Sequence, residues 1–576
     1  MSFSTRRNPI LTAKPWAFAE IFAHSAKFMD SRRPWSCIMF MAVFPPGAPH
    51  HVSPNRIFST MSSPETSPVH QFADERDRHF QTDHLKADLG ARSARGGAVT
   101  LTAQVCKFVL STLSAIVLAR LLTPLDYGLI GMVAIVVGFL GMFQYLGLST
   151  ATVKWSDLNH QQVSTLFWLN IALSAAIAII TIAAAPLAVW FYKEPRLVGI
   201  MFGYAVSTLL IGLAIQHEAI LIRQMRFAMI AGIEISAMAI ALAAAIVAAY
   251  YGVGYWALVI NQLVLAFVTV VGMWSACRWR PSLPSRAAGV RSMVSYGGNL
   301  TGFNMMSYFA RNMDNLLLGK VWGAYQLGVY SRAYQMLLMP MSQINAPLMS
   351  VAVPALSRLS DSPARYRAAF LKIVEKIAMI TMPGVVFMIA TSDWLVQFLL
   401  GPKWHDTGRI FMLLGIAALV QPVTRAVLWL FTTQGRASEL FAWGVISAVI
   451  AVVSIVAGLR WGAFGVAAGY AASDLLITTP LLFWFAGRRG PVKTADFYIT
   501  IAPAFCAALC SLATLLIFRP WLASWSLVIG RLAAAFVITA IVSLAVFAAL
   551  PAGRLAMQSF KEMTLMLFKR QRTSTV

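Results

Sequence analysis

VLARLLTPLDYGLI, residues 117–130, returns 200 positions later as LLGKVWGAYQLGVY, residues 317–330. Arg120 matches Lys320, and Gly128 matches Gly328. A second echo pairs GYWALV from Gly254 with GAFGVA from Gly462. Each match is weak alone, because apolar sequence makes chance similarity common. The polar positions nearby strengthen it. Gln104, Lys107, Ser111 and Ser114 fall on one face of an otherwise apolar helical run. Asn304, Ser307, Arg311 and Asp314 repeat that stripe at the same offset.

Working outward, the chain is apolar almost throughout. Of its 576 residues 58% are hydrophobic and only 12% charged, about half the charge of a soluble domain. Runs of about 20 apolar residues recur, each long enough to cross a bilayer core. Windows of about 19 residues give about 14 spans. They centre near Phe108, Val137, Ala176, Val206, Ala239, Val264, Tyr308, Met339, Val385, Ala418, Val449, Ala472, Ala508 and Phe536. The expected fold is an all-α polytopic membrane protein.

Six spans separate the two polar stripes, so both copies of the repeat share one orientation. Two six-helix lobes related by a pseudo-two-fold axis along the membrane normal follow, with spans 13 and 14 as a C-terminal appendage. Parallel repeats of this kind occur in secondary transporters, with the substrate site at the repeat interface. The expected divisions are residues 87–280 for the N-lobe, 281–490 for the C-lobe, and 491–576 for the last two spans and a basic tail.

The net charge of +24 does not point to nucleic acid, which requires a basic face on a folded domain. Here the cations sit in short loops that alternate. One set carries Lys154, Arg223, Arg226, Arg278, Arg280, Arg286, Arg291, Arg358, Arg365, Arg367, Arg436, Arg488, Arg489 and Lys493. The other holds Arg120, Lys193, Arg196, Lys320, Lys403, Arg409, Arg460 and Arg519. The richer set faces the cytoplasm by the positive-inside rule. Both termini then lie inside, and Lys569, Arg570 and Arg572 agree. No outward loop exceeds roughly a dozen residues, which leaves no room for an external catalytic domain.

Cys37, Cys106, Cys277, Cys506 and Cys510 form no CxxC and no metal-ligand set. No metal, cofactor or catalytic residue is expected. Residues 1–86 hold six of the nine histidines and no spanning run. The apolar stretch Ser36–Phe44 is too short to cross, and the Arg32–Arg33 pair lacks the long apolar region that a twin-arginine signal carries after it. This extension reads as sequence upstream of a start at Met61, or as a disordered cytoplasmic tail.

ARLLTPLDYGLIGMV (119–133), QVSTLFWLNIAL (162–173), YGGNLTGFNMMSYFARNMDNLLLG (296–319), YSRAYQMLLMPMSQINAP (330–347) and VPALSRL (353–359) resemble, in order, the polysaccharide transporter family. That family includes the O-antigen (Wzx-type) and exopolysaccharide flippases of the multidrug/oligosaccharidyl-lipid/polysaccharide superfamily. The resemblance runs from about Lys86 to Arg489. It implies two six-helix lobes around a cavity that opens alternately to each side of the bacterial inner membrane. It also implies a cargo of undecaprenyl-diphosphate carrying an oligosaccharide unit, moved outward for lipopolysaccharide, capsule or exopolysaccharide assembly. A polysaccharide polymerase and chain-length proteins are the implied partners.

A diphosphate crossing hydrocarbon needs its water replaced, and guanidinium suits phosphate. Ionisable residues within spans are functional candidates. Arg311 leads, with Asn304 on its face and Asp314 one turn away as a neutralising alternative. Lys107, Arg332 and Arg425 follow, with Gln104 and Ser111 as further cavity positions. Glu234, Asp314 and Asp474 are candidates for ion coupling, against structural ion pairing; Glu375 and Asp393 belong near an interface. Arg120 and Lys320 are expected to anchor helix ends. Rival readings are a multidrug antiporter of the same superfamily, a membrane glycosyltransferase or polymerase, and a lipid II-type flippase.

If translation starts at Met61, mass spectrometry of the isolated protein finds no peptide from residues 1–60. One such peptide excludes that start.

Overall fold

The computed structural model describes Phe80 and residues 89–558, apart from 145–147, 156–157, 286–290, 552 and 556. All of the regular structure among these residues is helical. The first bundle comprises α1 (Leu89–Leu121), α2 (Pro124–Gln144), the short α3 (Leu148–Lys154), α4 (His160–Ala183), α5 (Ala185–Tyr192), α6 (Leu197–Arg223), α7 (Phe227–Tyr250) and α8 (Trp256–Ala276). The second comprises α9 (Arg291–Ser357), α10 (Pro363–Ala390), α11 (Ser392–Leu399), α12 (His405–Ala418), α13 (Gln421–Thr433), α14 (Ala437–Gly458), α15 (Gly462–Ser473) and α16 (Thr479–Gly487). A hairpin of α17 (Thr494–Ala523) and α18 (Val528–Ala549) follows.

Among the described residues, eleven helical stretches are long and apolar enough to cross a membrane. This is fewer than the expected 14, and two features account for the difference. Ala437–Gly487 runs as one stretch of 51 residues but is interrupted at Leu459–Trp461. The 67-residue α9 turns back at Gly323, and neither half is among the eleven: Arg311, Asp314 and Lys320 depress the hydropathy of the first, and Gln326, Arg332 and Gln335 that of the second.

Local chemistry sets the helix boundaries. At the start of α4, the Asn159 side chain accepts from Gln162 N (2.8 Å) and the Gln162 side chain from Asn159 N (3.2 Å), a reciprocal cap for otherwise orphaned donors. Between α1 and α2, Asp126 accepts from Thr123 N (2.9 Å) and from Thr123 Oγ1 (2.6 Å). The matching break in the second repeat is made differently. Gly323 has φ 78°, a left-handed backbone that a side chain disfavours.

Contacts sort the loops into two faces. On one, Arg120 bonds the Phe398 carbonyl and Lys320 the Phe191 carbonyl, while Arg519 pairs with Asp393 at 2.7 Å. On the other, Arg223 Nε donates to Phe80 O (2.9 Å), Trp168 Nε1 to Ser282 O (2.8 Å) and Arg436 Nη1 to Arg489 O (2.7 Å). Phe80, 2% exposed, packs edge-on against Trp279, although it lies in the stretch read as an extension. The α17–α18 hairpin is clasped at both faces: Arg367 Nε donates to Asp496 (2.7 Å) on the basic side, and Arg519 meets Asp393 on the other. Ser511 and Ser543 share a hydrogen bond of 2.9 Å inside it.

The pseudo-two-fold is sharpest where α2 crosses the second half of α9. A Cβ on Gly128 would stand 1.7 Å from the Ala324 carbonyl oxygen, and one on Gly328 would stand 1.8 Å from that of Pro124. Ala324 is the repeat partner of Pro124, so the contact is reciprocal, as a two-fold axis requires. Small residues let membrane helices approach this closely. Tyr127 and Trp404 pack edge-to-face beside the crossing.

Either Gly128→Ala or Gly328→Ala forces a methyl into backbone. We expect a loss of about 1–3 kcal/mol or more of stability, read as a lower melting temperature in detergent. Gly97→Ala, in α1 with open space at its Cβ, serves as the control and leaves the melting temperature the same or slightly higher.

Candidate functional site

The expected polar residues assemble into two clusters and one isolated contact. In the first bundle, Lys107 on α1 and Glu234 on α7 meet at 2.8 Å, with side chains 28% and 33% exposed. Glu218 on α6 lies within electrostatic range of both. Lys107 therefore arrives already paired, and its partner is a residue expected to couple ions. Ser111 donates to the Phe108 carbonyl of its own helix (2.9 Å). Gln104 is exposed on the same helix. A cavity of about 250 Å³, bordered by Ser149, Thr150 and Glu218, opens between α3 and α6.

The second bundle holds the larger cluster. Tyr334 on α9 lies within electrostatic reach of Arg311, Asp314, Arg425 and Asp474 together. Asp314 is buried and accepts from the Tyr330 hydroxyl (2.9 Å) and from Asn315 N (2.8 Å). Arg311 is exposed on α9, and Arg425 is exposed on α13 between the buried Gln421 and Trp429. Gln421 Nε2 donates to Tyr470 Oη (3.1 Å), which joins α13 to α15. Asp474 opens a π-helical turn, Asp474–Thr478; such turns recur at functional sites. Its Oδ2 is buried and has no hydrogen-bond partner among the described residues. The Asn304 side chain lies outside the described residues.

Arg332 stands apart. Its guanidinium lies 3.5 Å over the Tyr127 ring and donates to Gln335 (2.8 Å). This puts it at the seam between the bundles, one turn beyond Gly328. Tyr308 also crosses the seam, its hydroxyl donating to the Ile135 carbonyl (2.9 Å).

Several of these partnerships have no local signature in sequence. Lys107 and Glu234 are 127 residues apart, and nothing local announces their meeting. Glu218 was not among the expected residues, because it sits near the end of its apolar run beside a basic loop. The tyrosines Tyr330, Tyr334 and Tyr470 were also missed, since an aromatic in a membrane span is usually packing. The signal available for Tyr330 and Tyr334 was their four-residue spacing, which puts them on one face of the second half of α9; their meeting with Asp314 lies across the Gly323 break.

Chemically, both clusters put ionisable groups among apolar helices, where a charge needs partners. The second bundle adds guanidinium groups, tyrosine hydroxyls and a carboxylate oxygen free to accept. This set can bind an anionic, hydroxyl-rich group and exchange a cation.

A family model described as polysaccharide biosynthesis protein matches residues 117–409. The lipopolysaccharide biosynthesis protein WzxC of Escherichia coli (strain K12) is 22% identical over 432 residues, 74% of this chain and 87% of that protein. The amylovoran biosynthesis protein AmsL of Erwinia amylovora is 25% identical over 391 residues, 66% of this chain and all of that protein. Among solved structures, the lipid II flippase MurJ in an inward closed conformation superposes with a TM-score of 0.59 at 12% identity. That match covers 79% of this chain and 98% of the other, and it shows a common fold.

The Lys107–Glu234 pair is testable by a thermal double-mutant cycle on Lys107→Met and Glu234→Gln. A coupling of about 0.5–3 kcal/mol is expected, so that the double variant is more stable than the sum of the singles implies.

Proposed function

This chain belongs to the polysaccharide biosynthesis protein family, and we propose that it is a flippase for lipid-linked oligosaccharides. Its cargo is an undecaprenyl-diphosphate-linked repeat unit, carried from the cytoplasmic to the periplasmic leaflet of the bacterial inner membrane. Both termini lie in the cytoplasm, on the basic face. The lobes are residues 87–280 and 281–490, with the last two spans and the tail in 491–576. The protein moves its cargo without chemical change, and hands it to a polymerase and its chain-length proteins.

The observation that carries this reading is the group of Arg311, Arg425 and their tyrosine and amide neighbours inside an apolar bundle. The lipid tail stays in hydrocarbon during the transfer; only the diphosphate and sugars need a new environment. Guanidinium groups offer the diphosphate paired donors in place of water. Tyr334, Tyr470 and Gln421 offer the sugars hydroxyl and amide partners. Lys107 and Arg332 add positive charge on the first bundle and at the seam. An inside-negative potential favours outward movement of two negative charges by roughly 5 kcal/mol per 100 mV. Lowering the barrier is therefore the main requirement. Asp474, Asp314 and Glu234 are the groups through which an ion gradient would reset the cavity. Asp474 is foremost, since its carboxylate oxygen has no protein partner among the described residues.

Arg311→Gln combined with Arg425→Gln should cut polymer export at least about tenfold, the loss of roughly one charge-assisted hydrogen bond. Protein level in the membrane and lipid-linked precursor synthesis should stay unchanged. Undiminished export would overturn the cationic cavity. Drug resistance conferred by the native chain, with normal polymer, would favour the multidrug antiporter instead.

A further inference from the structure

Two bonds on the basic-poor face have a reciprocal relation that packing alone does not require. Arg120, at the end of the first crossing of the first bundle, donates to the carbonyl of Phe398 at the end of α11 in the second bundle. Lys320, its partner in the repeat, donates to the carbonyl of Phe191 at the end of α5 in the first bundle. α5 and α11 are each an eight-residue helix that completes the crossing begun by α4 or α10. Each bundle's first crossing thus reaches over the seam to cap the third crossing of the other.

The acceptors are suited to this. Carbonyls in the last turn of a helix lack intrahelical donors and carry the negative end of the macrodipole, which favours a cation. Lys320 also lies over the Phe191 ring at 4.5 Å and the Trp190 ring at 5.6 Å. Both donors are exposed, on long flexible stems at a membrane surface. Water can therefore replace either bond when it breaks, unlike the backbone crossing at Gly128 and Gly328.

The halves are unequal. On the Arg120 side, Trp404 Nε1 donates to Ala119 O (2.7 Å) and Lys403 Nζ to Leu121 O (3.1 Å), with Trp404 fully buried. Three donors of the second bundle and α1 hold that half together. The Lys320 half has its ammonium and two aromatic rings.

We propose that Arg120 and Lys320 form a two-point reciprocal latch that holds the bundles shut on this face, with the Lys320 half releasing first. Opening the cavity toward this side requires both points to let go, and Gly128 and Gly328 serve as the pivot. The latch rests on the alternating-access part of the proposed function and is independent of the cargo.

The test places spin labels on cysteines at Pro195 and Arg409, both exposed and one in each bundle, in the full chain with its native cysteines replaced. Distances are measured in lipid nanodiscs without cargo, so the outcome does not depend on which lipid is carried. The parent should give one short population. Lys320→Gln should raise the long-distance fraction about tenfold relative to the parent, the equivalent of one hydrogen bond to a charged group. Arg120→Gln should raise it less, because Lys320→Gln also loses the contacts over the Phe191 and Trp190 rings, and the double variant should raise it most. Arg120→Lys with Lys320→Arg should restore the short population. An unchanged distribution in folded Arg120→Gln/Lys320→Gln would overturn the latch. If the double variant does not fold, an unchanged distribution in Lys320→Gln does so.

Discussion

Where α2 crosses the second half of α9, two backbones touch with no side chain between them. Gly128 lies on the carbonyl of Ala324, and Gly328 lies on that of Pro124. Much else depends on that close approach. It brings Arg332 of one bundle onto the Tyr127 ring of the other, and it carries the ends of the first crossings within reach of helix ends across the seam. In hydrocarbon the hydrophobic effect does little to join helices, and close packing with interhelical hydrogen bonds does most of it. A glycine crossing beneath a ring of charge-to-carbonyl bonds supplies both.

The repeat preserves geometry while its chemistry diverges. Position 107 is lysine and 307 serine; position 111 is serine and 311 arginine; position 114 is serine and 314 aspartate. The first bundle holds a lysine bonded to one glutamate and within electrostatic range of a second, and the second holds arginines, aspartates and a set of tyrosine hydroxyls. The two copies of the repeat thus carry different electrostatics. A cargo with an anionic end and an uncharged, hydroxyl-rich end suits such a pair better than a symmetric molecule does.

Much of this architecture was legible beforehand, for physical reasons. Apolar runs long enough to span a bilayer have no soluble alternative, and a repeat of polar residues at one offset through otherwise apolar helices is difficult to produce by chance. Gly128 and Gly328 stood out in the sequence, and their contact explains why both copies carry glycine there. The site was less legible. Arg311 and Asp314 were named together, Arg425 and Asp474 singly, and the cluster that gathers all four depends on how α9, α13 and α15 pack. Lys107 and Glu234 were named for different tasks and are bonded to each other. Arg332 was named beside the other cations, yet its ring contact is across the seam, because Tyr127 belongs to the other bundle. Helical spacing predicts which residues share a face; it does not predict which neighbour that face meets.

The account turns on what crosses the membrane, and one measurement addresses that directly. Cells with and without the protein are compared for the leaflet that holds completed lipid-linked oligosaccharide, using an impermeant sugar-modifying reagent. The account predicts that without the protein the complete precursor accumulates on the cytoplasmic leaflet, out of the reagent's reach, and that restoring the protein returns it to the outer leaflet. Precursor that reaches the periplasmic leaflet equally well in both, with no second flippase present, would contradict it.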